Sequence, residues 1–448
     1  MTSAVLASMV PTRPLVLGLG VTGAAVTRAL VRRGIAVSVT DDGSLDRGPE
    51  LAARLGARWV DPPAEAWDAL VASHDAILPS PGVPERHPIF ASARRAGVAV
   101  RSEFDLAAAW DDRPTVLITG TNGKTTVTTL VTDMLISSGI IAVPAGNVEV
   151  PLVEAIDNPS PQVFVVEASS FRLTFASWHH PVAATWLNFA PDHLDVHLGL
   201  AGYEEAKARV WANHRDGGMA IANADDPVVM RWAPPGERTH TFSVTQPADW
   251  DLVDGRLRGP GLDLLAADEL PRHLPHDLAN ALAAAATATA AGANLDGIRA
   301  ALRAFRSLPH RVELVGEAGG VRWFDDSKAT APHATVAALS GFASAVLIAG
   351  GRNKGLDLAE LRPLAPHLRA VVAIGEASGE VVEAFAGHVP TAVATSMAEA
   401  VVLAGGLALP GDVVVLSPAC ASFDWYDSYA ERGDAFSQAV REHLAVPR

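Results

Sequence analysis

The stretch TVLITGTNGKTTVTTLVTDMLISSG, residues 115–139, decides the fold of this chain. TVLIT is a short apolar run, GTNG is a turn with two glycines, and the residues after Lys124 have the apolar spacing of a helix that stops at Gly139. A buried strand that leads through a glycine turn into a helix is the first half of a βαβ unit. The sequence therefore predicts an α/β protein.

The turn itself has the residues of a phosphate-binding loop. Gly120 and Gly123 let backbone N–H groups approach a phosphate, Lys124 adds a positive charge, and Thr125 offers a hydroxyl for Mg²⁺. The strict P-loop pattern would place its first glycine at position 118, where this chain has Ile118. The alternative is a glycine-rich turn with a surface lysine, but the order of strand, glycine, Lys-Thr-Thr and helix favours a nucleotide site.

A nucleotide site of this kind needs a metal ion, and therefore metal ligands nearby. Glu167 ends the apolar run VFVVE (163–167), where a carboxylate is costly unless it is paired or coordinated. NFAPDHLDVH (188–197) follows another apolar run and carries Asp192, His193, Asp195 and His197. That spacing is compatible with a metal site and, equally, with an ordinary polar loop.

A second glycine cluster lies near the start of the chain. GLGVTG (18–23) matches GxGxxG, and Asp41 and Asp42 end the following apolar run. The pattern allows a dinucleotide fingerprint or a tight βα turn with close helix packing. In either case it predicts a helix N-terminus that can hold a diphosphate.

Lysine is used sparingly in this sequence. Of 35 basic residues only four are lysines, namely Lys124, Lys207, Lys328 and Lys354. Lysine is a compact charge that can be neutralised and modified, whereas arginine stays charged. An exposed helical pair between Lys207 and Glu204 is the plain alternative, but arginine would serve that pair equally well. The four lysines therefore indicate positions where the chemistry requires an amine.

Composition excludes several classes of protein. A length of 448 residues predicts two to four domains, and the net charge of −15 argues against nucleic-acid or membrane-surface partners. One cysteine, Cys420, excludes an intrachain disulfide and suggests a reducing compartment. The N-terminus lacks the features of a signal peptide, and the uncharged stretches 278–295 and 329–351 are expected to be buried rather than membrane-spanning.

The last third repeats the pattern of strands that end in polar loops. VRWFDDS, AVLIAGG, AVVAIGEAS and DVVVLSPA are four such segments, and open α/β sheets bind ligands at that edge. Residues 234–275, rich in proline and glycine, predict short strands or an insertion without a clear place in the fold.

Together these motifs resemble the Mur ligases, ATP-dependent amide-forming enzymes of peptidoglycan synthesis. TGTNGKTT, EASSF, NFAPDHLD, YEEAKAR, NADDP, HDLANALAA, LPHR, DDSKAT, AGGRNKG and SPACASFD occur in the family order between residues 116 and 424. SLPHRVE, DDSKAT and SPACASFDWYDSYAERG are most similar to the branch that adds D-glutamate to UDP-N-acetylmuramoyl-L-alanine. The resemblance covers nearly the whole chain and is weakest in residues 1–110.

The resemblance implies three α/β domains. They are a Rossmann-like UDP-binding domain (1–102), a central P-loop ATPase-like domain that binds ATP (103–307) and a C-terminal Rossmann-like domain that binds D-glutamate (308–448). UDP then replaces NAD as the ligand of the first glycine cluster. A cytoplasmic monomer without a nucleic-acid partner or membrane insertion is expected.

The implied reaction is amide synthesis through an acyl phosphate and a tetrahedral intermediate, with two Mg²⁺ ions. The family's matching lysine reacts with CO₂ to form a carbamate that binds metal, which only a neutral amine can do; this would explain Lys207. The alternatives are a sibling Mur ligase for another amino acid or a folylpolyglutamate synthase. Outside this class, an NAD-dependent dehydrogenase or a nucleotide-binding regulator remains open.

The resemblance also assigns roles residue by residue. Catalytic roles would fall to Lys124, Glu167, His193, Lys207 and Lys328. ATP would contact Gly120, Thr121, Asn122, Gly123, Lys124, Thr125, Thr126, Asn280, His310, Arg311 and Asp326. The two other substrates would contact Thr22, Asp41, Gly82, Asn147, Ser169, Thr330, Lys354, Ser422 and Phe423. One Mg²⁺ would bind Thr125 and Glu167, and the other His193 and carbamylated Lys207. Arg172 stands where the family often has glutamine.

Overall fold

A computed structural model describes residues 10–43, 46–63, 67–147, 150–193, 196–212 and 217–445. They form two compact units. The first contains the described residues up to Leu270 together with Ala279–Ala304, and the second contains Pro271–Leu278 and the described residues from Phe305 onward.

The first unit begins with a five-stranded parallel sheet. Its strands are β1 (Pro14–Leu17), β2 (Ser38–Thr40), β3 (Arg58–Trp59), β4 (Ala76–Pro79) and β5 (Ala99–Val100). The helices between them are Val21–Arg32, Gly48–Arg54, Asp68–Ala72 and Pro88–Ala96. The strand order β3-β2-β1-β4-β5 reverses direction at β1, and ligands bind at such a switch point. The GLGVTG turn follows β1 and therefore lies at this point.

A nine-stranded sheet makes up the rest of this unit. Its strands are β6 (Thr115–Thr119), β7 (Ala142–Gly146), β8 (Val163–Glu167), β9 (Ala183–Trp186), β10 (Met219–Asn223), β11 (Thr239–Ser243), β12 (Trp250–Val253), β13 (Arg256–Gly259) and β14 (Leu262–Ala266). The order is β14-β13-β12-β11-β10-β9-β6-β8-β7, and only the pairs that involve β13 are antiparallel. The ambiguous segment 234–275 thus supplies four short strands that extend the sheet.

The central sheet is accompanied by helices of very different lengths. They are Glu103–Trp110, Lys124–Ser137, Leu152–Ala155, Ser170–Leu173, Gly199–Ala208, Pro227–Trp232, Pro275–Ala290 and Leu295–Ala304, with short 3₁₀ turns at Arg209–Trp211 and Ala267–Glu269. Because parallel strands are covered on both faces, their sequences are continuously apolar, and β6, β8 and β9 contain almost only buried residues.

The second unit contains a six-stranded sheet. Its strands are β15 (Glu313–Ala318), β16 (Val321–Asp325), β17 (Ala345–Gly350), β18 (Leu368–Ile374), β19 (Thr391–Val393) and β20 (Val413–Leu416), in the order β15-β16-β20-β17-β18-β19. Only β15 pairs antiparallel. The helices Pro332–Leu339, Ser378–Phe385, Met397–Leu407 and Tyr429–Ala445 and the 3₁₀ segment Leu358–His367 complete it.

The sheets confirm the predicted α/β class and the four strand-to-loop segments of the last third. The domain boundaries at 102/103 and 307/308 stay a prediction. Among the described residues, no helix is both long and apolar enough to cross a membrane.

Candidate functional site

The phosphate-loop sequence lies at the centre of the nine-stranded sheet. Its strand β6 pairs in parallel with β8 on one side and β9 on the other. The loops after these three strands therefore leave the same edge of the sheet, and they carry Gly120–Thr126, Glu167–Ser170 and Asn188–His193. The topology brings together the three motifs that the sequence marked separately.

The loop conformation explains both of its glycines. Gly120 has φ +158° and Gly123 has φ +82°, a region that side chains disfavour. A Cβ on Gly123 would lie 2.6 Å from Oδ1 of Asn280, so this asparagine packs directly against the loop. The helix Lys124–Ser137 has Gly123 as its N-cap, and no side chain caps it there. A helix N-terminus of this kind is a common binding place for an anion.

Asn188 holds the outer side of this loop, and the sequence analysis did not single it out. Its Oδ1 accepts from the Asn122 N–H at 2.8 Å, its carbonyl accepts from the Thr121 N–H at 3.1 Å, and its amide donates to the Asn122 carbonyl at 3.2 Å. Asn223 donates to the neighbouring Leu187 carbonyl at 2.7 Å. The only signal in the sequence was the position of both asparagines directly after apolar runs.

Two lysines meet at one backbone oxygen of the loop. Lys124 Nζ donates to the carbonyl oxygens of Gly120 and Thr121 at 2.8 and 2.9 Å, and Lys207 Nζ donates to the Gly120 oxygen at 2.7 Å. Lys207 is only 1% exposed. Burial, followed by the charge of Lys124, holds the pKa of Lys207 well below the usual lysine value. Lys207 is thus a buried amine with a strong bias towards its neutral form.

Glu167 is buried at the same edge of the sheet. Its Oε1 accepts from the Asn147 amide at 2.9 Å. Its Oε2 is buried without a hydrogen-bond partner among the described residues. A buried carboxylate oxygen without a partner is costly, so this oxygen fits a cation ligand.

The histidines of the loop after β9 differ in their surroundings. His193 has φ +53° and a side chain that is 41% exposed, and its Nε2 lies 3.5 Å from Asp192. His197 is 3% exposed and has both ring nitrogens engaged, Nδ1 with Glu85 at 2.5 Å and Nε2 with Ser170 at 2.9 Å. The side chain of His193 is therefore accessible, whereas that of His197 is enclosed by its two partners. Asp195 lies outside the described residues.

A cavity of about 770 Å³ lies beside the first glycine cluster. Thr22, Asp41, Gly82 and Asn147, four of the residues that are predicted to contact substrate, all line it. Asp41 accepts from the N–H groups of Leu19 and Gly43 at 2.8 and 2.9 Å.

The helix after the first glycine cluster packs against its strand without space for a side chain. A Cβ on Gly23 would lie 1.9 Å from the Gly18 carbonyl oxygen, so close packing accounts for the third glycine. The tight-turn interpretation is therefore correct for Gly23, and the cavity leaves room for a ligand beside the turn.

Arg172, the departure from the family pattern, links this cavity to the central sheet. It lines the cavity and donates to Thr22 Oγ1 at 2.9 Å, and it forms a buried ion pair with Glu103. The neighbouring Ser169 is buried and caps the helix Ser170–Leu173 through a 3.4 Å bond from the Arg172 N–H.

In the second unit, three predicted motifs follow adjacent strands. DDSKAT follows β16, SPACAS follows β20 and GGRNKG follows β17. The Ala419 N–H donates to the Ala329 carbonyl at 2.9 Å, and Arg352 and Ala421 exchange two backbone bonds of 2.9 and 3.0 Å. The loops that carry the four residues assigned to D-glutamate are thereby held against one another. Thr330 is half-buried and Ser422 buried, whereas Lys354 and Phe423 are exposed.

Lys328 lies on an aromatic ring that the sequence did not reveal. Its ammonium group is 3.7 Å from the centre of the Tyr429 ring, a cation–π contact. Tyr429 stands at the start of the C-terminal helix, a hundred residues further along the chain, so only the fold brings the two together.

His310 contacts the side chain of Asp325, and Asp326 is the next residue in the chain. His310 has φ +60°, and its Nδ1 lies 2.7 Å from Asp325 Oδ2. Asp326 accepts a 2.7 Å hydrogen bond from the Ser417 hydroxyl, and burial raises its pKa to about 7. Arg311, the next residue in LPHR, accepts at its carbonyl from Arg272 at 3.0 Å.

A buried arginine of the C-terminal helix forms hydrogen bonds with the loops that follow β16 and β20. Arg432 is 1% exposed and donates to Ser327 Oγ at 2.9 Å and to the Cys420 carbonyl at 3.0 Å. Burial raises the pKa of the Cys420 thiol to about 12, so this thiol is a packing group rather than a nucleophile. Nothing in the local sequence separates Arg432 from the surface arginines.

Comparison with protein families accounts for most of the chain. Residues 12–102 match the Mur ligase MurD-like N-terminal domain, residues 118–288 the Mur ligase middle domain, and residues 310–420 the Mur ligase glutamate ligase domain.

Solved structures show the same fold at low sequence identity. A pseudomurein peptide ligase type C from Methanothermus fervidus has a TM-score of 0.60 and 17% identity, covering 96% of this chain and 100% of its own. A MurF ligase from Thermotoga maritima in complex with ADP has a TM-score of 0.57 and 19% identity, covering 83% and 95%.

Curated relatives are considerably more similar in sequence. UDP-N-acetylmuramoylalanine--D-glutamate ligase of Frankia casuarinae is 43% identical over 442 residues, 95% of this chain and 93% of that protein. The protein of the same name from Nitrosococcus oceani is 39% identical, covering 96% of each chain. With three matching domain models and full-length relatives at this identity, the chain belongs to the Mur ligase family.

Proposed function

We propose that this protein is an ATP-dependent ligase that joins D-glutamate to UDP-N-acetylmuramoyl-L-alanine in cytoplasmic peptidoglycan precursor synthesis, acting as a monomer. The full-length relatives named for that reaction support the choice of substrates. The observation that carries the chemistry is the meeting of Lys124 and Lys207 at the Gly120 carbonyl, at the same sheet edge as the unpaired oxygen of Glu167.

The phosphate loop would hold the ATP phosphates through its backbone N–H groups and Lys124. The helix that starts at Lys124 adds its N-terminal dipole. Thr121, Asn122 and Thr126 belong to the same loop, and Asn280 packs against it. In the second unit we assign His310, Arg311 and Asp326 to the nucleotide on the family resemblance.

The residues at this edge fit magnesium ions. Glu167 Oε2 is a buried acceptor without a hydrogen-bond partner in the part of the chain that the structure describes, and together with Thr125 it would hold one ion. His193 and the carbamylated form of Lys207 would hold the second ion. The lowered pKa of Lys207 favours the neutral amine, which is the form that reacts with CO₂. When bound, the ions neutralise the charge that develops between the γ-phosphate and the carboxylate.

The reaction would then proceed in two steps. The carboxylate of UDP-N-acetylmuramoyl-L-alanine attacks the γ-phosphorus of ATP. The bond to the β-phosphate breaks, which gives an acyl phosphate and releases ADP. The amine of D-glutamate attacks the acyl carbon, and the tetrahedral intermediate expels inorganic phosphate and loses a proton. Lys124 holds the transferred phosphoryl group and Lys328 balances the charge of the acyl phosphate.

The two organic substrates would bind in separate places. The 770 Å³ cavity is in the size range of small-molecule sites and would take the UDP group against Thr22, Asp41 and Gly82. Asn147, Ser169 and His193 would contact the muramoyl end. D-Glutamate would bind to the second unit at Thr330, Lys354, Ser422 and Phe423.

The test is release of phosphate from ATP and Mg²⁺ with UDP-N-acetylmuramoyl-L-alanine and a panel of D- and L-amino acids. We expect release that depends on D-glutamate. Release with another amino acid would identify a sibling ligase. Binding of ATP without release for any amino acid would favour a nucleotide-binding regulator and overturn the proposal.

A further inference from the structure

Two buried side chains and one partly buried carboxylate connect the cavity of the first sheet to the loop after β9 of the central sheet. Glu85 Oε1 lies 2.5 Å from His197 Nδ1, and His197 Nε2 lies 2.9 Å from Ser170 Oγ. The side chain of His197 is 1% exposed and that of Glu85 is 16% exposed. Each ring nitrogen thus has one side-chain partner, so the orientation of the ring is fixed at both ends.

Each end of this series of contacts, Glu85 and Ser170, lies next to residues with an assigned role. Glu85 follows directly on Pro84, which lines the 770 Å³ cavity, and its N–H donates to the Val196 carbonyl at 3.1 Å. Ser170 follows Ser169, the proposed muramoyl contact, and Thr174 donates from its hydroxyl to the Ser170 carbonyl at 3.0 Å. The contacts thus run from the cavity wall to the substrate edge without a gap.

His193 is coupled to the same contacts. The His193 carbonyl accepts from the N–H groups of both Val196 and His197 at 3.2 Å. The Phe171 ring stacks on His197 with a centre distance of 5.3 Å and meets the edge of His193 at 4.8 Å. A shift of His197 would therefore move the backbone and the ring of the proposed metal ligand.

Serine, histidine and a carboxylate in this order are also the groups of nucleophilic triads. Ser170, however, is only 2% exposed, so a substrate carbonyl does not reach its oxygen. A buried ion pair is also weak evidence for a purely stabilising role, since apolar groups of similar size often serve stability as well. A positioning role agrees better with both observations.

We propose that Glu85, His197 and Ser170 are positioning residues that couple occupation of the UDP cavity to the placement of His193 and Ser169. A uridine diphosphate group that settles the loop around Pro84 would fix Glu85 and, through His197, the metal-ligand loop. This inference rests on the proposed function, because that function assigns UDP to the cavity and a metal ion to His193.

The test measures binding without turnover, on the full-length protein. Calorimetry gives the affinity for Mg²⁺ with a non-hydrolysable ATP analogue, in the absence and presence of saturating UDP. The ratio of the two affinities is the coupling between the sites, and we expect about fivefold or more in the wild type.

Two variants remove opposite ends of the chain of contacts. In Glu85→Gln and in Ser170→Ala we expect the ratio to fall to about one, while each ligand alone binds within about twofold of wild type. The double variant should lose no more coupling than either single variant, because the three groups act as one unit. Asp68→Asn is the matched control, since it removes an acid at the start of the helix Asp68–Ala72, where it is paired with exposed Arg95, and it should retain the coupling.

The remaining outcomes overturn the inference. The first two are a wild type without coupling and variants that retain the coupling. The third is a pair of variants that lose UDP affinity and thermal stability together, as expected for a purely structural contact. The fourth is failure of UDP to bind at all. A wild type that shows coupling but releases no phosphate with D-glutamate would refute the proposed function and leave the coupling intact.

Discussion

Lys124 and Lys207 donate to the same carbonyl oxygen, that of Gly120, at 2.8 and 2.7 Å. Two cationic side chains seldom share one acceptor, because their charges repel. The arrangement is tolerable if one of them is neutral, and the pKa of Lys207 is lowered most by its burial and next by Lys124. The sharing therefore distinguishes the two amines: Lys207 is the one whose pKa is lowered, which agrees with the carbamate that we propose for it.

Replacement of Lys207 by arginine should abolish ligase activity. Guanidinium remains charged and forms no carbamate, so we expect phosphate release to fall by about two to three orders of magnitude. Lys207→Ala should be equally inactive but partly rescued by a short carboxylate such as acetate. An arginine variant with full activity would refute the carbamate assignment.

The same lysine should make stability depend on pH. Its folded pKa lies below the unfolded value, so between these two pKa values the unfolded state binds more protons and stability rises with pH. Lys207→Met lacks this group. The stability of wild type relative to Lys207→Met should therefore increase with pH until the pH reaches the ordinary lysine pKa of about 10, as measured by urea unfolding. A constant difference would mean that Lys207 titrates normally.

Substitution of Glu167 by glutamine should separate metal binding from folding. Among the described residues Oε2 has no hydrogen-bond partner to lose, so the unfolding free energy without metal should change little. The Mg²⁺ concentration for half-maximal rate should rise about 10- to 100-fold. A thermal-shift titration with Mg²⁺ and ATP checks the same point without turnover. Unchanged Mg²⁺ dependence would remove Glu167 from the metal site.

Asp326 should stabilise the protein most at low pH. Its pKa is raised to about 7 by burial, so the folded state binds the extra proton between the unfolded value of 3.8 and 7. The contribution is present below about pH 4 and is lost as pH rises through about 7, with an upper limit of about 4 kcal/mol. Asp326→Asn should lack this decline in denaturant unfolding. Parallel pH profiles for variant and wild type would contradict it.

Gly433 should not accept a side chain, although it lies within the regular helix Tyr429–Ala445. A Cβ there would lie 2.2 Å from His310 Nδ1 and 2.5 Å from Asp325 Oδ2. Gly433→Ala should therefore cost about 1–3 kcal/mol and raise the KM for ATP, because it displaces His310.

Gly406→Ala is the control for this substitution. Gly406 is also helical, but no atom lies within 4 Å of the Cβ position, so alanine should stabilise by about 0.5–1 kcal/mol. If both alanine variants were stabilising, the close contact at Gly433 would not exist.

Local patterns sufficed for much of the fold. Continuous apolar runs marked the buried strands, and glycine marked the turns after β1 and β6, because both signals depend only on neighbouring residues. The strands β11–β14 were harder to predict, since they are four or five residues long and lie at a sheet edge where no strong alternation is needed.

The residues of the candidate site likewise fall into those that local sequence could predict and those that it could not. Lys124, Glu167 and Lys207 were visible because their residue types are unusual in their surroundings. The environment of His197 could not be predicted from the sequence, because its partner Glu85 lies 112 residues away in the chain. Tyr429 and Arg432 were missed for the same reason: a contact made by tertiary packing leaves no spacing signal in the sequence.

The single cysteine has a practical consequence for spectroscopy. Cys420 is 1% exposed and its thiol has a pKa near 12, so it should not react with maleimides at neutral pH. The wild-type chain is therefore a ready-made background for site-specific labelling. Cysteines introduced at exposed positions such as Val402 or Ile136 would each take a fluorophore without competition from Cys420.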